Sequence, residues 1–283
     1  IQRSGPSTGM PTRTQQGDLI GAAYASHGDT KHPLLFPATP KECFDFATAA
    51  LDLADRAQTP ILVMSDLELG MNDNLSEPLQ WDDAVRYDRG KVLDSEALEN
   101  SEVFGRYLDV DGDGIGYRTL PGTHPDKGAF FTRGTSRDEF AAYTESPEAY
   151  ERNMQRLELK WQSIRGLVPA AEIDDQKRRV GVLFFGTTAL PMPEALDLLH
   201  ADGIALDSCR VRAFPFGAEV EAFVQEHDLI FVVEQNRDAQ MRTLLINELQ
   251  TAPAKLVPVL YYAGLSISAD TIHQQINEYF TAN

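Results

Sequence analysis

The sequence has 283 residues, of which 42% are hydrophobic. This is enough for a sizeable core and predicts two domains, because domains usually contain about 100–200 residues. The formal net charge is −18. A surface this negative repels phosphate backbones and anionic lipids, so nucleic acids and membrane surfaces are excluded as favoured partners.

The chain contains two cysteines, Cys43 and Cys209, whose spacing matches neither a metal site nor a disulfide framework. An iron–sulfur cluster held by four thiolates therefore cannot reside in this chain alone. Free cysteines indicate a reducing compartment, and we predict a cytoplasmic protein. No apolar run approaches the roughly 18–20 residues that a membrane span needs, and no signal-peptide pattern is visible.

The first predicted element is a loop over residues 2–12, which begins almost at the start of the chain. Two glycines and two prolines in this stretch predict a fixed, non-helical loop. Arg3 offers a planar fork that suits a carboxylate, and Ser7, Thr8 and Thr12 offer hydroxyl groups. An anion-binding loop and a solvated turn both fit these residues. Because the chain opens at Ile1 and enters this loop directly, we predict a fragment or a processed chain.

A helix and a buried strand are predicted next. Residues 39–42 (TPKE) form a capping box with proline at the first helical position, and apolar residues then recur at helical spacing. Thr59-Pro60 ends this helix. The apolar residues 61–67 (ILVMSDL) predict a buried strand.

Between about residues 77 and 165 the chain is polar and rich in Gly and Asp, with a helix predicted near 147–165. Such a long connection is normally functional or interfacial. Asp109, Asp111 and Asp113 resemble the opening of a calcium loop, but position twelve is Leu120, where an EF-hand requires Glu. Two interpretations fit this segment: a cation held in a non-EF loop, and a solvated acidic turn.

The C-terminal third alternates apolar strands with amphipathic helices, with strands predicted at residues 180–186, 206–214, 229–234 and 256–262. Nearly continuous apolar strands between helices predict a parallel sheet covered on both faces. At the end of the third strand, Asn236 and Arg237 enter a helix, where open α/β sheets bind ligands. Asn236 as a helix cap, and contacts of Asn236 or Arg237 with a partner or coenzyme, are the two interpretations.

The run RSGPSTGMPT, followed by Asp18-Leu19, resembles the signature of the α subunit of 2-oxoacid:ferredoxin oxidoreductases, especially the 2-oxoglutarate branch. Further segments resemble the same family in the same order along the chain. They are residues 27–29 (HGD), 37–66, 106–135 and 232–245. The resemblance therefore spans nearly the whole chain.

This resemblance implies an α/β fold in two parts. Residues 1–175 would be a partial thiamine-enzyme pyrimidine-binding domain with the long polar excursion, and residues 176–283 a transketolase C-terminal-like domain. It also implies a partner, a β subunit that holds thiamine diphosphate, Mg²⁺ and an iron–sulfur cluster, in an αβ or α2β2 hetero-oligomer. Such a complex would decarboxylate 2-oxoglutarate oxidatively, or run in reverse, with coenzyme A and ferredoxin. The chain would be inactive by itself.

Within the family, the Arg and the Thr of the signature loop are expected to bind the 2-oxoacid, which assigns Arg3 and Thr12 here. Ser7, Thr8 and His27 are further candidates from the matching segments. Pyruvate or a branched-chain oxoacid is the alternative substrate. The alternative of a different class is a non-catalytic assembly or scaffold subunit.

Overall fold

The computed structural model describes residues 1–282. The helices are α1 Leu19–Ala23, α2 Pro40–Ala57, α3 Leu67–Met71, α4 Ser95–Asn100, α5 Pro147–Ile164, α6 Met192–Ala201, α7 Ala218–Glu226, α8 Gln240–Leu249 and α9 Ala269–Ala282. The strands are β1 Leu34–Leu35, β2 Leu62–Val63, β3 Glu172–Asp174, β4 Val180–Phe185, β5 Asp207–Val211, β6 Ala213–Phe214, β7 Leu229–Glu234 and β8 Leu256–Leu260.

A five-stranded sheet forms the C-terminal third, in the order β3-β5-β4-β7-β8. Strands β5, β4, β7 and β8 run parallel, as the apolar runs predict, and five of the six residues in both β4 and β7 are buried. Strand β3 adds an antiparallel edge to β5, and each of its residues is exposed. The predicted α/β class is confirmed, with a mixed rather than purely parallel sheet.

A second, three-stranded sheet has the order β2-β1-β6. The sequence predicted one strand over residues 206–214, and the structure divides it into β5 and β6. The division falls at Arg212, whose carbonyl oxygen accepts a hydrogen bond from the Phe36 N–H at 2.8 Å. Strand β6 then pairs antiparallel with β1. One continuous segment therefore supplies a strand to each sheet.

The main core lies between the five-stranded sheet and the helices that pack on it. Apolar side chains of β4 and β7 meet those of α6 and α9, including Phe231, Leu199 and Ile272, all fully buried. The alternating strand and helix pattern places these side chains on facing surfaces. This packing holds the carboxyl ends of β4, β7 and β8 at one edge of the sheet.

Helix α2 starts as its sequence predicts. The Thr39 Oγ1 accepts a hydrogen bond from the Glu42 N–H at 3.2 Å, and Glu42 in turn accepts one from the Ala38 N–H at 2.8 Å. The predicted buried strand over residues 61–67 is shorter than expected and only partly buried. It ends after Val63 because Asp66 turns the chain, its carboxylate accepting the Glu68 and Leu69 N–H groups at the start of α3.

The described chain divides into two compact units. One comprises residues 1–50, 61–81 and the chain from 168 onward, and contains both sheets; the other comprises residues 51–60 and 82–167. The buried apolar residues of the second unit include Leu98, Trp161 and Ile164. The sequence-based boundary at residues 175 and 176 stays a prediction. Among residues 1–282, no helix has the length and apolar character needed to cross a membrane.

Candidate functional site

The opening loop, defined here as residues 2–18, closes on itself through its backbone. Ser4 N–H donates to the Arg13 carbonyl at 2.8 Å, and Met10 N–H donates to the Ser4 carbonyl at 2.9 Å. Gly9 makes this closure possible, because its φ is +50° and a Cβ there would lie 1.9 Å from the Ser4 carbonyl oxygen. The loop is therefore preformed, as its glycines and prolines predict.

A cavity of about 550 Å³ lies between the opening loop and the segments that follow β7 and β8. Parallel sheets commonly bind ligands at this carboxyl edge of their strands. The lining residues come from the opening loop with Ile1, from the β7–α8 connection with the start of α8, and from the end of β8. They are Ile1, Arg3, Ser4, Gly5, Pro6, Ser7, Met10, Gln15, Gly17, Asp18, Arg237, Asp238, Gln240 and Tyr262.

Among the described arginine and lysine side chains that line this cavity, Arg3 is the one without a partner. Its side chain is exposed, and within residues 1–282 its guanidinium has no hydrogen-bond or ion-pair partner. Arg237, on the opposite wall, is already paired with Asp238 at 2.7 Å, which holds the pKa of Asp238 below its usual range. Arg3 can therefore receive an anion without first breaking an internal ion pair, and a guanidinium binds a carboxylate through two parallel hydrogen bonds.

The predicted site residues are only partly brought together. Ser7 lines the cavity with Arg3, whereas Thr8, Thr12 and His27 are exposed and do not line it. The Oγ1 of Thr12 lies 3.5 Å from the Arg13 side chain, at the limit of a hydrogen bond. The substrate-binding roles of these residues stay predictions.

The segment after β7 places its two predicted residues differently. Arg237 lines the cavity, whereas Asn236 is 1% exposed. The Asn236 amide donates to the Gln16 carbonyl at 3.0 Å and to Glu234 at 2.7 Å, and it accepts the Gln240 N–H at 3.3 Å. Any ligand contact of Asn236 would have to replace one of these bonds.

Glu234 caps helix α8, a role that its sequence position alone did not indicate. It is fully buried, and its two oxygens accept the Met241 and Arg242 N–H groups at 2.8 and 3.0 Å. Helix α8 therefore begins at Gln240, four residues later than the predicted start at Asn236. Burial raises the pKa of Glu234 above its ordinary value, although the hydrogen bonds it accepts act in the opposite direction.

Several residues of this region were missed by sequence reasoning. Gln15, Asp18 and Tyr262 line the cavity, and Gln16 is a buried residue of the opening loop. A sequence signal for Gln16 would be alternation of apolar and polar residues along an extended segment, but residues 14–17 (TQQG) contain no large apolar side chain.

The acidic loop, defined here as residues 109–114, lies in the second unit. The Lys91 ammonium contacts Asp111 at 2.6 Å and Asp113 at 2.7 Å, and it donates to the Ile115 carbonyl at 3.0 Å. Burial by itself would lower the pKa of Lys91, but the hydrogen bonds to these two carboxylates outweigh it and raise the pKa. A divalent cation would have to displace this ammonium, and the cation site on Asp109, Asp111 and Asp113 stays a prediction.

A metal-type cluster of another kind occurs among residues 1–282. Ligand atoms of Asp175, Asp207 and His227 lie within 4.8 Å of one another. The buried Asp207 already accepts the Gln176 and Arg178 N–H groups and forms an ion pair with the Arg178 side chain at 2.8 Å. Its oxygens are therefore engaged, and we assign the cluster to holding β5 in place.

Residues 1–104 match a protein family described as "Pyruvate flavodoxin/ferredoxin oxidoreductase, thiamine diP-bdg". The α/β fold and this match make the N-terminal part of the chain similar to the thiamine-diphosphate-binding region of 2-oxoacid oxidoreductases. The matched residues include the whole opening loop, which forms one wall of the cavity.

The chain is 33% identical over 251 residues to the 2-oxoacid:ferredoxin oxidoreductase 2, subunit alpha, of Aeropyrum pernix, covering 86% of this chain and 38% of that one. It is 29% identical to the 2-oxoglutarate synthase subunit KorA of Methanothermobacter thermautotrophicus, covering 83% of this chain and 61% of that one. The chain thus spans less than two thirds of these curated relatives.

The fold also matches a solved structure, the 2-oxoglutarate:ferredoxin oxidoreductase of Magnetococcus marinus, described with 2-oxoglutarate, coenzyme A and succinyl-CoA bound. The TM-score is 0.84 at 25% identity, over 98% of this chain and 47% of that one. Together these similarities confirm the resemblance inferred from the sequence, to the α subunits of 2-oxoacid:ferredoxin oxidoreductases.

Proposed function

We propose that this chain is part of the α subunit of a 2-oxoacid:ferredoxin oxidoreductase that converts 2-oxoglutarate with coenzyme A and ferredoxin, in the oxidative or the reverse direction. The observation that carries the proposal is the unpaired Arg3 guanidinium on a preformed loop, facing a cavity of about 550 Å³. The 2-oxoglutarate enzymes among the relatives support this substrate over pyruvate or a branched-chain oxoacid.

The proposed reaction requires cofactors that the described residues of this chain do not hold by themselves. Its two cysteines cannot hold a four-thiolate cluster, and neither lines the cavity. Among the described residues, the metal-type cluster at Asp207 is engaged internally and lies outside the cavity. Because the relatives are named as subunits, we propose that a β subunit carries the iron–sulfur cluster, thiamine diphosphate and Mg²⁺. Thiamine diphosphate, when bound, supplies the electron sink for decarboxylation.

The role of this chain would be to bind and orient the oxoacid. We propose that Arg3 grips a substrate carboxylate with its planar fork, and that Thr12 contributes a hydroxyl from the same loop. A contact that is equally strong in the ground state and the transition state lowers KM without raising kcat. Arg3 should therefore govern substrate affinity more than the rate of the chemical step. Ser7 is a further candidate, since it lines the same cavity.

The test is steady-state kinetics of the complete enzyme complex, with 2-oxoglutarate, coenzyme A and methyl viologen as electron acceptor. Arg3→Ala should raise the KM for 2-oxoglutarate about 10–100-fold, on the order of 1.4–2.8 kcal/mol, with a smaller change in kcat. Arg3→Lys should recover only part of this affinity, because an ammonium lacks the two-pronged geometry.

Arg179→Ala is the matched control, because Arg179 is an exposed arginine of the same unit and its side chain pairs with Asp228. Its KM should stay at the wild-type value. An unchanged KM in Arg3→Ala would remove Arg3 from the site. Turnover that is insensitive to both Arg3→Ala and Thr12→Val would favour the non-catalytic assembly subunit instead.

The position of Arg237 on the opposite wall supports a role for it in binding coenzyme A. Its side chain is exposed, and the phosphates of coenzyme A are anions. In the same assay, Arg237→Ala should raise the KM for coenzyme A several-fold and leave that for 2-oxoglutarate within about twofold. An equal effect on both substrates would contradict a separate coenzyme contact.

A further inference from the structure

The segment from Thr14 to Gly17 presents alternate residues to opposite sides. Gln15 and Gly17 line the cavity, whereas Thr14 and Gln16 are buried. Successive side chains of an extended backbone point in opposite directions. The two neighbouring glutamines therefore have different environments: one faces the ligand cavity, and the other faces the ends of the strands beneath it.

Gln16 connects the opening loop to the carboxyl ends of two strands. Its side-chain N–H donates to the carbonyl of Phe185, the last residue of β4, at 3.1 Å. Its side-chain oxygen accepts the Thr188 hydroxyl at 3.2 Å and the N–H of Gln235, immediately after β7, at 3.1 Å. Its backbone N–H donates to the Gln235 carbonyl at 2.8 Å.

The same buried network continues to the other end of the loop. The Gln235 amide donates to the hydroxyls of Thr188 at 3.2 Å and Thr187 at 3.3 Å. Thr187 donates to the buried Asp66 at 2.5 Å. The residue before Asp66 accepts the Gln2 N–H at 2.7 Å, next to Arg3. The opening loop is thus fastened to the unit at both of its ends.

An anchored loop has a direct consequence for Arg3. Its guanidinium makes no internal hydrogen bond, so its position depends on the backbone that carries it. Binding groups lose effectiveness when their supports allow shifts of about 1 Å. A buried amide that loses its partners is also strongly destabilising, which favours the anchored arrangement while Gln16 is present.

We propose that Gln16 is a positioning residue, which binds no substrate itself but fixes the opening loop so that Arg3 meets the substrate carboxylate. This inference rests on the proposed function of Arg3. It assigns a role to a buried side chain that touches neither the cavity nor the solvent.

The experiment is a double-mutant cycle in the complete enzyme complex, measured by kcat and KM for 2-oxoglutarate. Gln16→Met keeps the length of the side chain and removes its hydrogen bonds. Alone, it should raise KM about 5–20-fold with kcat within about twofold. In the Arg3→Ala background the same change should add less than about twofold, because a residue that acts through Arg3 has nothing left to position.

Two further variants separate positioning from folding. Thr188→Val removes one hydrogen bond of Gln16 and should raise KM about 2–5-fold, whereas Thr188→Ser keeps the hydroxyl and should restore the wild-type KM. If Gln16→Met fails to fold, these Thr188 variants still test whether the hydrogen bonds of Gln16 position Arg3. The control His227→Gln disturbs a buried polar side chain that bonds to Phe223 and Asp207 outside the cavity. It should lower the melting temperature without changing KM.

Each outcome bears on a different claim. If Gln16→Met raises KM by the same factor with and without Arg3, Gln16 acts independently of Arg3 and the inference is overturned. The inference is also overturned if Gln16→Met and Thr188→Val leave KM unchanged while Arg3→Ala raises it. If Arg3→Ala itself has no effect, the proposed function fails first.

Discussion

The opening loop and the acidic loop are both short, glycine-containing segments whose charged side chains suggested ligand binding. They differ in whether another side chain neutralises that charge. Arg3 has no partner among the described residues, whereas the acidic loop receives the Lys91 ammonium between Asp111 and Asp113. In the opening loop the fold leaves the charge of Arg3 unpaired, which favours a ligand site, whereas in the acidic loop Lys91 already neutralises the carboxylates, which favours a structural turn.

Substitution of the glycines should give the largest difference between the two loops. Gly9 and Gly112 both have positive φ, but a Cβ at Gly9 would lie 1.9 Å from the Ser4 carbonyl oxygen, and one at Gly112 would meet nothing within 4 Å. Gly9→Ala should cost about 2–4 kcal/mol of unfolding free energy, since left-handed strain and backbone displacement add together. It should also raise the KM for 2-oxoglutarate at least about tenfold.

Gly112→Ala is the matched control for this prediction. It carries the left-handed strain alone, which costs about 1 kcal/mol, and should leave the kinetics unchanged. Urea unfolding and steady-state kinetics measure both quantities. Similar losses in the two variants would mean that the closure of the opening loop on Ser4 does not determine its conformation.

Removing the ammonium from the acidic loop should have an intermediate effect. Lys91→Met leaves Asp111 and Asp113 without their shared cation and should lower the unfolding free energy by about 1–2 kcal/mol, because the carboxylates are partly exposed. Millimolar Ca²⁺ should restore part of this stability in the variant, since carboxylate oxygens are its preferred ligands.

The melting temperature with and without Ca²⁺ decides this prediction. The wild-type protein should show no shift, because Ca²⁺ would have to displace Lys91. A shift as large in the wild type as in Lys91→Met would show that the ammonium does not compete with the ion. That result would support the cation site suggested by the sequence.

The smallest effect concerns Lys160, which lies behind the acidic loop and donates to the Gln58 carbonyl at 2.8 Å. Burial, with the neighbouring Arg156 and Arg106 cations, lowers the pKa of Lys160 to about 8. Between pH 8 and the ordinary lysine value the unfolded chain binds more protons than the folded one. Unfolding free energy should therefore rise with pH, by about 0.5–1 kcal/mol from pH 8 to 9.

Lys160→Met should abolish this increase, and the control Lys41→Met, at an exposed position of α2, should retain it. Urea unfolding at several pH values between 7.5 and 10 provides the measurement. A wild-type stability that is flat or falls over this interval would contradict a lysine held partly neutral by the fold.

Sequence patterns predicted the structure best where the residues that determine it lie close together in the sequence. The glycines and prolines of the opening loop, the capping box at Thr39 and Glu42, and the apolar runs of β4 and β7 each act within a few residues. The exposed edge strand β3 was missed because it contains no alternating or continuous apolar pattern.

The parts of the candidate site that escaped prediction depend on distant partners. Gln16 bonds to Phe185 and Gln235, which lie 169 and 219 positions away in the sequence. The neutralisation of Asp113 by Lys91 spans 22 positions. No local rule connects such residues, because the fold brings them together. The resemblance assigned Arg3 and the position at a strand end assigned Arg237, but only the structure places both in the lining of one cavity.

One continuous segment forms both β5 and β6, and this has a consequence for producing the N-terminal part of the protein alone. Strand β1 pairs with β2 on one side and with β6 on the other. A polypeptide that stopped at residue 175 would lack β6, leaving the backbone N–H and C=O groups along that side of β1 without their partners. Such an open edge invites pairing between molecules. The N-terminal portion would therefore self-associate when produced alone, even though its sequence resembles a domain in its own right.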